Sequence, residues 1–185
     1  MASQKKSIAQ KFHKSTVLLA EKLVGMSSEK FFTFPFVAKV DENYACSVPG
    51  QDPSKIDIDY LHPYVVNAGL TLELKLKQLL MIENSENVRG HNLGSLYRSL
   101  SSESKYFIYS HVLKHTSDSL DHQAITQAAK TNFNLDFKWE AEFLLEKSAY
   151  AFERWRYLYE KDNKGSWFAG YIEIYNALDE RINSY

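Results

Sequence analysis

The chain has 185 residues, 44% of them hydrophobic, with 22 Lys+Arg set against 23 Asp+Glu. That length and composition suit one domain with a sizeable core and exclude global disorder, and the charge balance gives no overall field favouring nucleic acid or a membrane. Cys46 is the lone cysteine, which excludes an intrachain disulfide and a multi-cysteine zinc knot and fits a reducing cytosol.

The N-terminal stretch MASQKKSIAQKFHKSTVLLAEKLVG starts basic, but its apolar run TVLLA is followed at once by Glu21 and Lys22. It is too short for a secretory core. No segment approaches the roughly 20 apolar residues of a membrane span, so a soluble, cytoplasmic protein with no membrane partner is expected. A first helix is expected at about residues 6–24, where Ile8, Phe12, Leu19 and Leu23 share one side, with Gly25 as its stop. Residues 26–60 carry three of the four prolines and no sustained helical period. They read as a long irregular segment packed on the core through its aromatics, with a short hairpin at about residues 31–40.

In LTLELKLKQLL leucine alternates with charge, as in a strand, yet its residues are mostly good helix formers. At about 100° per residue, Val65, Ala68, Leu72, Leu76, Leu79 and Leu80 make one continuous face. Leu70 and Leu74 fall outside it, and Thr71, Lys75 and Gln78 lie opposite. With Pro63 in the first turn, a helix runs to about Glu83. Glu73 sits at the edge of the apolar face with Lys77 at the i,i+4 spacing of an ion pair.

After the polar break NSENVRG, helices are expected at about residues 92–100, 103–116 and 121–131, the second starting near Ser102 and Glu103. Residues 137–160 form the most periodic segment. Phe137, Ala141, Leu144, Leu145, Ser148, Phe152, Trp155 and Tyr159 make its core face, with Arg156 at the edge. A second stripe, Trp139, Phe143, Tyr150 and Tyr157, implies a second neighbour, either the N-terminal segment or another subunit. Aromatic anchors of this kind are assigned to a dimer interface, where Arg154 stacks on Tyr150 or Tyr157. WFAGYIEIYNALDERI closes the chain as a last helix. The fold class is all-α.

ELKLKQLL followed by RGHNLGSLY, together with the later AFERWRYLYE, resembles the HEPN superfamily of small helical-bundle proteins. Many members share a Glu-rich E…LKALL helix, a following GHxL helix and a late F..RY pattern. The resemblance covers about residues 61–182 and leaves the N-terminal third outside. It implies a bundle of four to five main helices, usually a homodimer, with roles in RNA cleavage, toxin–antitoxin pairs or phage defence. Catalytic members resemble one another in an Arg-x4–6-His motif that works on the RNA backbone. Here the positions that need histidine hold Tyr159, Glu160 and Lys161 after Arg154, and Lys161, Asp162 and Asn163 after Arg156. Arg98 meets a histidine only at His111. The nuclease motif is absent, so the resemblance does not carry ribonuclease activity over.

If the family packing holds, Glu73, His91, Arg154 and Arg156 converge on one polar site. A guanidinium there holds a phosphate oxygen, His91 acts as acid or base, and Glu73 orients one of them. The alternative is a buried ion-pair and hydrogen-bond network that fixes helix register. His91 itself, after Arg89 and Gly90, reads as a turn histidine bonded to backbone or to Glu73. His111 and His115 stand at i,i+4 and would need Asp118, Asp121 or His122 as a third metal ligand, whereas packing beside Phe107 and Ile108 explains them without metal. Lys5, Lys6, Lys11, His13 and Lys14 read as a solvated helix face rather than a nucleic-acid surface. With no glycine-rich phosphate loop, G-x-S-x-G elbow or Cys/His set, no cofactor and no free-standing hydrolase, kinase or dehydrogenase is expected. The expected function is a non-catalytic RNA- or nucleotide-associated, or protein-interaction, module in defence or toxin–antitoxin biology. The rivals are a metal-independent ribonuclease with a displaced site and a purely structural partner subunit.

Overall fold

The computed structural model describes residues 2–30, 35–40, 43–47, 52–84, 89–149, 151 and 166–185. In chain order these form α1 (Ala2–Val24), β1 (Phe36–Val40), β2 (Asn43–Ser47), α2 (Leu61–Asn84), α3 (Leu93–Arg98), α4 (Ser102–Thr116), α5 (Leu120–Phe133), α6 (Ala141–Lys147), β3 (Ser166–Phe168) and α7 (Tyr171–Asn183). The architecture is a helical bundle with one small sheet. No helix among the described residues is long and apolar enough to cross a membrane.

α1 ends where its sequence says it should. Gly25 takes φ +63°, and Met26 N–H reaches back 3.2 Å to the carbonyl of Glu21, which is the Schellman closure that a left-handed glycine allows. Asp57 N–H caps the Leu23 carbonyl at 2.8 Å, tying the long connection onto the helix it left.

α2 is the helix around which the bundle is built. α1, α3 and α7 pack on it, and its apolar residues Val65, Ala68, Leu72, Leu76, Leu79 and Leu80 are all buried. The side expected to face outward is buried too. Thr71 and Lys75 are 0% exposed and Gln78 2%. A helix enclosed by neighbours on several sides has no solvated face left, so its polar residues need partners supplied by other helices.

The segment between α1 and α2 is more ordered than its composition suggests. The hairpin pairs β1 with β2, so β1 is one arm of it and the second arm lies beyond residue 40, with Val37 opposite Cys46. The third strand, β3, comes from the far end of the chain and sets Phe168 against Val37, so the sheet order is β2-β1-β3 with antiparallel pairs. Val37 and Phe168 are fully buried, and the Phe168 ring meets Tyr64 of α2 edge-on at 6.0 Å. That junction seats the sheet on the bundle. Burial pushes the Cys46 thiol up to about 12, which makes it a packing residue and a poor nucleophile.

Two other expectations need correction. Residues 137–160 are not one helix. Residues 134–140 are non-helical, α6 spans Ala141–Lys147, and the chain turns at Ser148 and Ala149. The Trp139 indole donates to the carbonyl of His122 and to Thr126 Oγ1, both at 3.0 Å. These bonds to α5 hold the residue outside the helix its periodicity announced. The core face still holds where it is described: Phe137, Ala141, Leu144, Leu145 and Ser148 are buried. The last helix begins at Tyr171, because Trp167 and Phe168 belong to β3 and Gly170 turns the chain at φ +71°. A Cβ at Gly170 would lie 2.6 Å from Leu144 Cδ1, so the start of α7 is clamped against α6.

Candidate functional site

Glu73 is on α2, 3% exposed. Its Oε1 accepts from Lys77 Nζ at 2.8 Å, the i,i+4 partner that spacing announces. The same oxygen is 2.9 Å from His91 Nδ1. His91 is delivered by the turn ahead of α3, where Gly90 has φ +94° and Asn92 Oδ1 caps Ser95 N–H at 2.8 Å. Its side chain is half exposed. Glu73 Oε2 is buried and has no hydrogen-bond partner among the described residues. The structure therefore unites Glu73 and His91. Arg154 and Arg156, and with them Tyr150 and Tyr157 of the aromatic stripe, lie outside the described residues.

The other two stripe residues are engaged within the chain. Trp139 makes the bonds to α5 given above and packs edge-on against His122, ring centroids 4.3 Å apart. Phe143 stands edge-on to Phe137 at 5.6 Å, with Lys147 Nζ 5.4 Å from its centroid.

His111 and His115 lie side by side, with ring centroids 4.5 Å apart. His111 Nδ1 is 3.2 Å from Glu180 Oε2, and burial and the neighbouring His115 lower its pKa. No group of three His, Cys, Asp or Glu residues able to hold a metal occurs among the described residues. His122, offered above as a third ligand, is 2.8 Å from Glu173 inside the bundle.

A second polar centre joins α1, α2 and α7. Lys75, fully buried on α2, donates to Asp179 of α7, which is about one-third exposed. Lys75 Nζ also lies 5.0 Å from the Tyr175 ring centroid, a cation–π contact in a desolvated setting. The His13 ring of α1 stacks on Tyr175 with centroids 3.8 Å apart and planes 6° from parallel. Its Nδ1 is 2.8 Å from the Tyr171 hydroxyl. Thr16 Oγ1 and Thr71 Oγ1 lie 3.3 Å apart beside it, and Asn67 Nδ2 donates to Thr16 Oγ1 and to the Phe12 carbonyl, each at 2.9 Å. Burial, then the Lys75 charge, lower the pKa of His13, with Asp179 opposing them. Burial and Asp179 push the Tyr175 phenol up to about 12.

This centre opens to solvent through a cleft of about 530 Å³ lined by Gln10, Lys11, His13, Lys14 and Tyr175. In the sequence, His13 and the lysines look like a solvated face. The signal that points further is the spacing: Tyr171, Tyr175 and Asp179 repeat every fourth residue on α7, as Thr71 and Lys75 do on α2. Matched polar stripes on two buried helices predict that each faces the other.

No family model, curated protein or solved structure matches this chain.

Proposed function

We propose that the chain is a HEPN-like helical-bundle module that associates with RNA or a nucleotide without cleaving it, works as a homodimer, and serves defence or toxin–antitoxin biology. The observation supporting the non-catalytic part is the pairing at Glu73. One carboxylate oxygen serves both the Lys77 ammonium and the His91 ring, an arrangement that pins the turn before α3 to α2. A general base needs its carboxylate partner for orientation and charge, and here that charge is shared with an ammonium. A displaced ribonuclease site is the second reading, favoured by one fact. The His91 side chain is half exposed, so the ring is reachable from solvent.

One experiment separates the two. A 5′-labelled mixed RNA is followed in EDTA by anisotropy and by gel, with wild type, His91→Ala and Arg156→Ala. Saturable binding with intact RNA is the expected result. Cleavage lost in both variants, with folding preserved, overturns the non-catalytic reading. Absence of binding removes the RNA half and leaves the structural partner subunit. Light scattering should give twice the chain mass of 21.4 kDa, and the mass of a single chain would defeat the dimer.

A further inference from the structure

The cleft between α1 and α7 has the chemistry of an anion site, and three observations on it converge. It is one-signed. Gln10, Lys11, His13, Lys14 and Tyr175 line it, with no carboxylate among them. Asp179, the acid whose charge reaches His13, already receives the buried Lys75. The sequence of α1 carries the same sign: between residues 2 and 20 it has four lysines (Lys5, Lys6, Lys11, Lys14) and no Asp or Glu, although the whole chain is balanced at 22 against 23.

The cleft also contains a fixed imidazole ring as well as mobile charge. His13 is held on one face by the Tyr175 ring and at Nδ1 by the Tyr171 hydroxyl. Nε2 is the nitrogen left to meet a ligand. A side chain clamped this way has little rotamer entropy to lose on binding. Lys11 and Lys14, three residues apart and so on one side of α1, supply two ammonium groups beside it.

We propose that this cleft binds a phosphate group, with His13 Nε2 and the Lys11 and Lys14 ammonium groups as its ligands. A phosphate concentrates two or more charges and several acceptor oxygens in one small volume, which suits two lysines and a ring N–H converging on one cleft. An acidic peptide spreads its charge at one carboxylate per residue and would use a longer groove. At about 530 Å³ the cleft falls within the range of small-molecule sites and has room for the nucleoside beyond the phosphate. The site deepens the RNA- or nucleotide-binding reading and would be the point at which that ligand's phosphate enters, from a free nucleotide or from an RNA strand.

The test is calorimetric titration of the full chain with inorganic pyrophosphate, then with uridine monophosphate and with a short RNA. Lys11→Gln with Lys14→Gln changes only exposed positions. It should weaken pyrophosphate binding about tenfold or more, the scale of losing charge-assisted phosphate contacts. Lys22→Gln with Lys55→Gln, exposed lysines outside the cleft lining, should leave binding unchanged. His13→Asn should weaken it as well, with the melting curve showing that the fold survives. With pyrophosphate bound, nucleotide binding equal to that of RNA assigns a free nucleotide; RNA binding without uridine monophosphate binding assigns the strand. Pyrophosphate binding without RNA binding keeps the site and defeats the RNA reading. RNA binding unaffected by the Lys11/Lys14 variant keeps that reading and defeats the site. No saturable pyrophosphate binding, an equal loss in the Lys22/Lys55 control, or tighter binding of a hexaglutamate peptide each overturns the proposal.

Discussion

Two corners of the molecule place a histidine beside an ion pair of α2, and they do so in opposite ways. At Glu73 the acid is buried while its partners Lys77 and His91 reach toward solvent. At Lys75 the base is buried, its acid Asp179 is partly hydrated, and His13 lies across the tyrosines rather than on the carboxylate. The first corner joins two local elements, α2 and the turn before α3. The second joins α1, α2 and α7, and its histidine and tyrosine are 158 residues apart in sequence. The comparison shows that the cost of breaking a pair depends on which partner is left behind in the core. It also shows that the corner with the open cleft is the one whose histidine bonds to a phenol rather than to a carboxylate.

The sharpest way to break this contrast is at Asp179. Asp179→Ala strands the ammonium of a fully buried lysine, and a loss of about 3 kcal/mol is expected from the cost of an unpaired buried charge. Lys75→Met should cost distinctly less, because Asp179 can complete its hydration. Denaturant titration of both variants gives the order, and equal losses would show that Lys75 is not confined as described. Next in size is Glu73→Ala, expected at about 1–3 kcal/mol because Lys77 and the turn at His91 both lose their acceptor. His91→Ala should stay at or below about 1 kcal/mol, since the ring is half solvated. A larger loss at His91 than at Glu73 would reverse the assignment of which residue anchors the turn.

The smallest effect expected is the pH dependence. The pKa of His13 is lowered in the folded chain, as is that of His111. The unfolded chain therefore binds more protons as pH falls below the usual histidine value of 6.5. Stability should decline from that point and level off once the folded-state values are passed. His13→Gln with His111→Gln should flatten this decline in melting temperature measured between about pH 7 and pH 5, where unperturbed histidine titrates. A slope that persists in the double variant would place the titrating group elsewhere.

Several features were written locally and could be read without the fold. The helical period of residues 61–84, the stop at Gly25, the Glu73–Lys77 pair and the special backbone at Gly90 depend on atoms within one or two turns of each other. Sequence spacing encodes such distances directly. The Glu73–His91 contact was legible as one of two options for a turn histidine, and the geometry selected it.

Only the tertiary structure decided the rest, for a shared physical reason. Periodicity states which residues lie on one side of an element but says nothing about how many neighbours enclose it. Thr71, Lys75 and Gln78 look like a solvent face until α2 is surrounded. Trp139 reads as part of a helix until its indole finds the carbonyl of His122. Phe168 reads as helical until it pairs with β1, and His13 reads as a surface residue until Tyr171 and Tyr175 arrive from the other end of the chain. Each of these outcomes is a choice of partner across a long loop. Closing that loop costs entropy that only the assembled core repays, so the choice is recorded in the packing and nowhere in the local pattern.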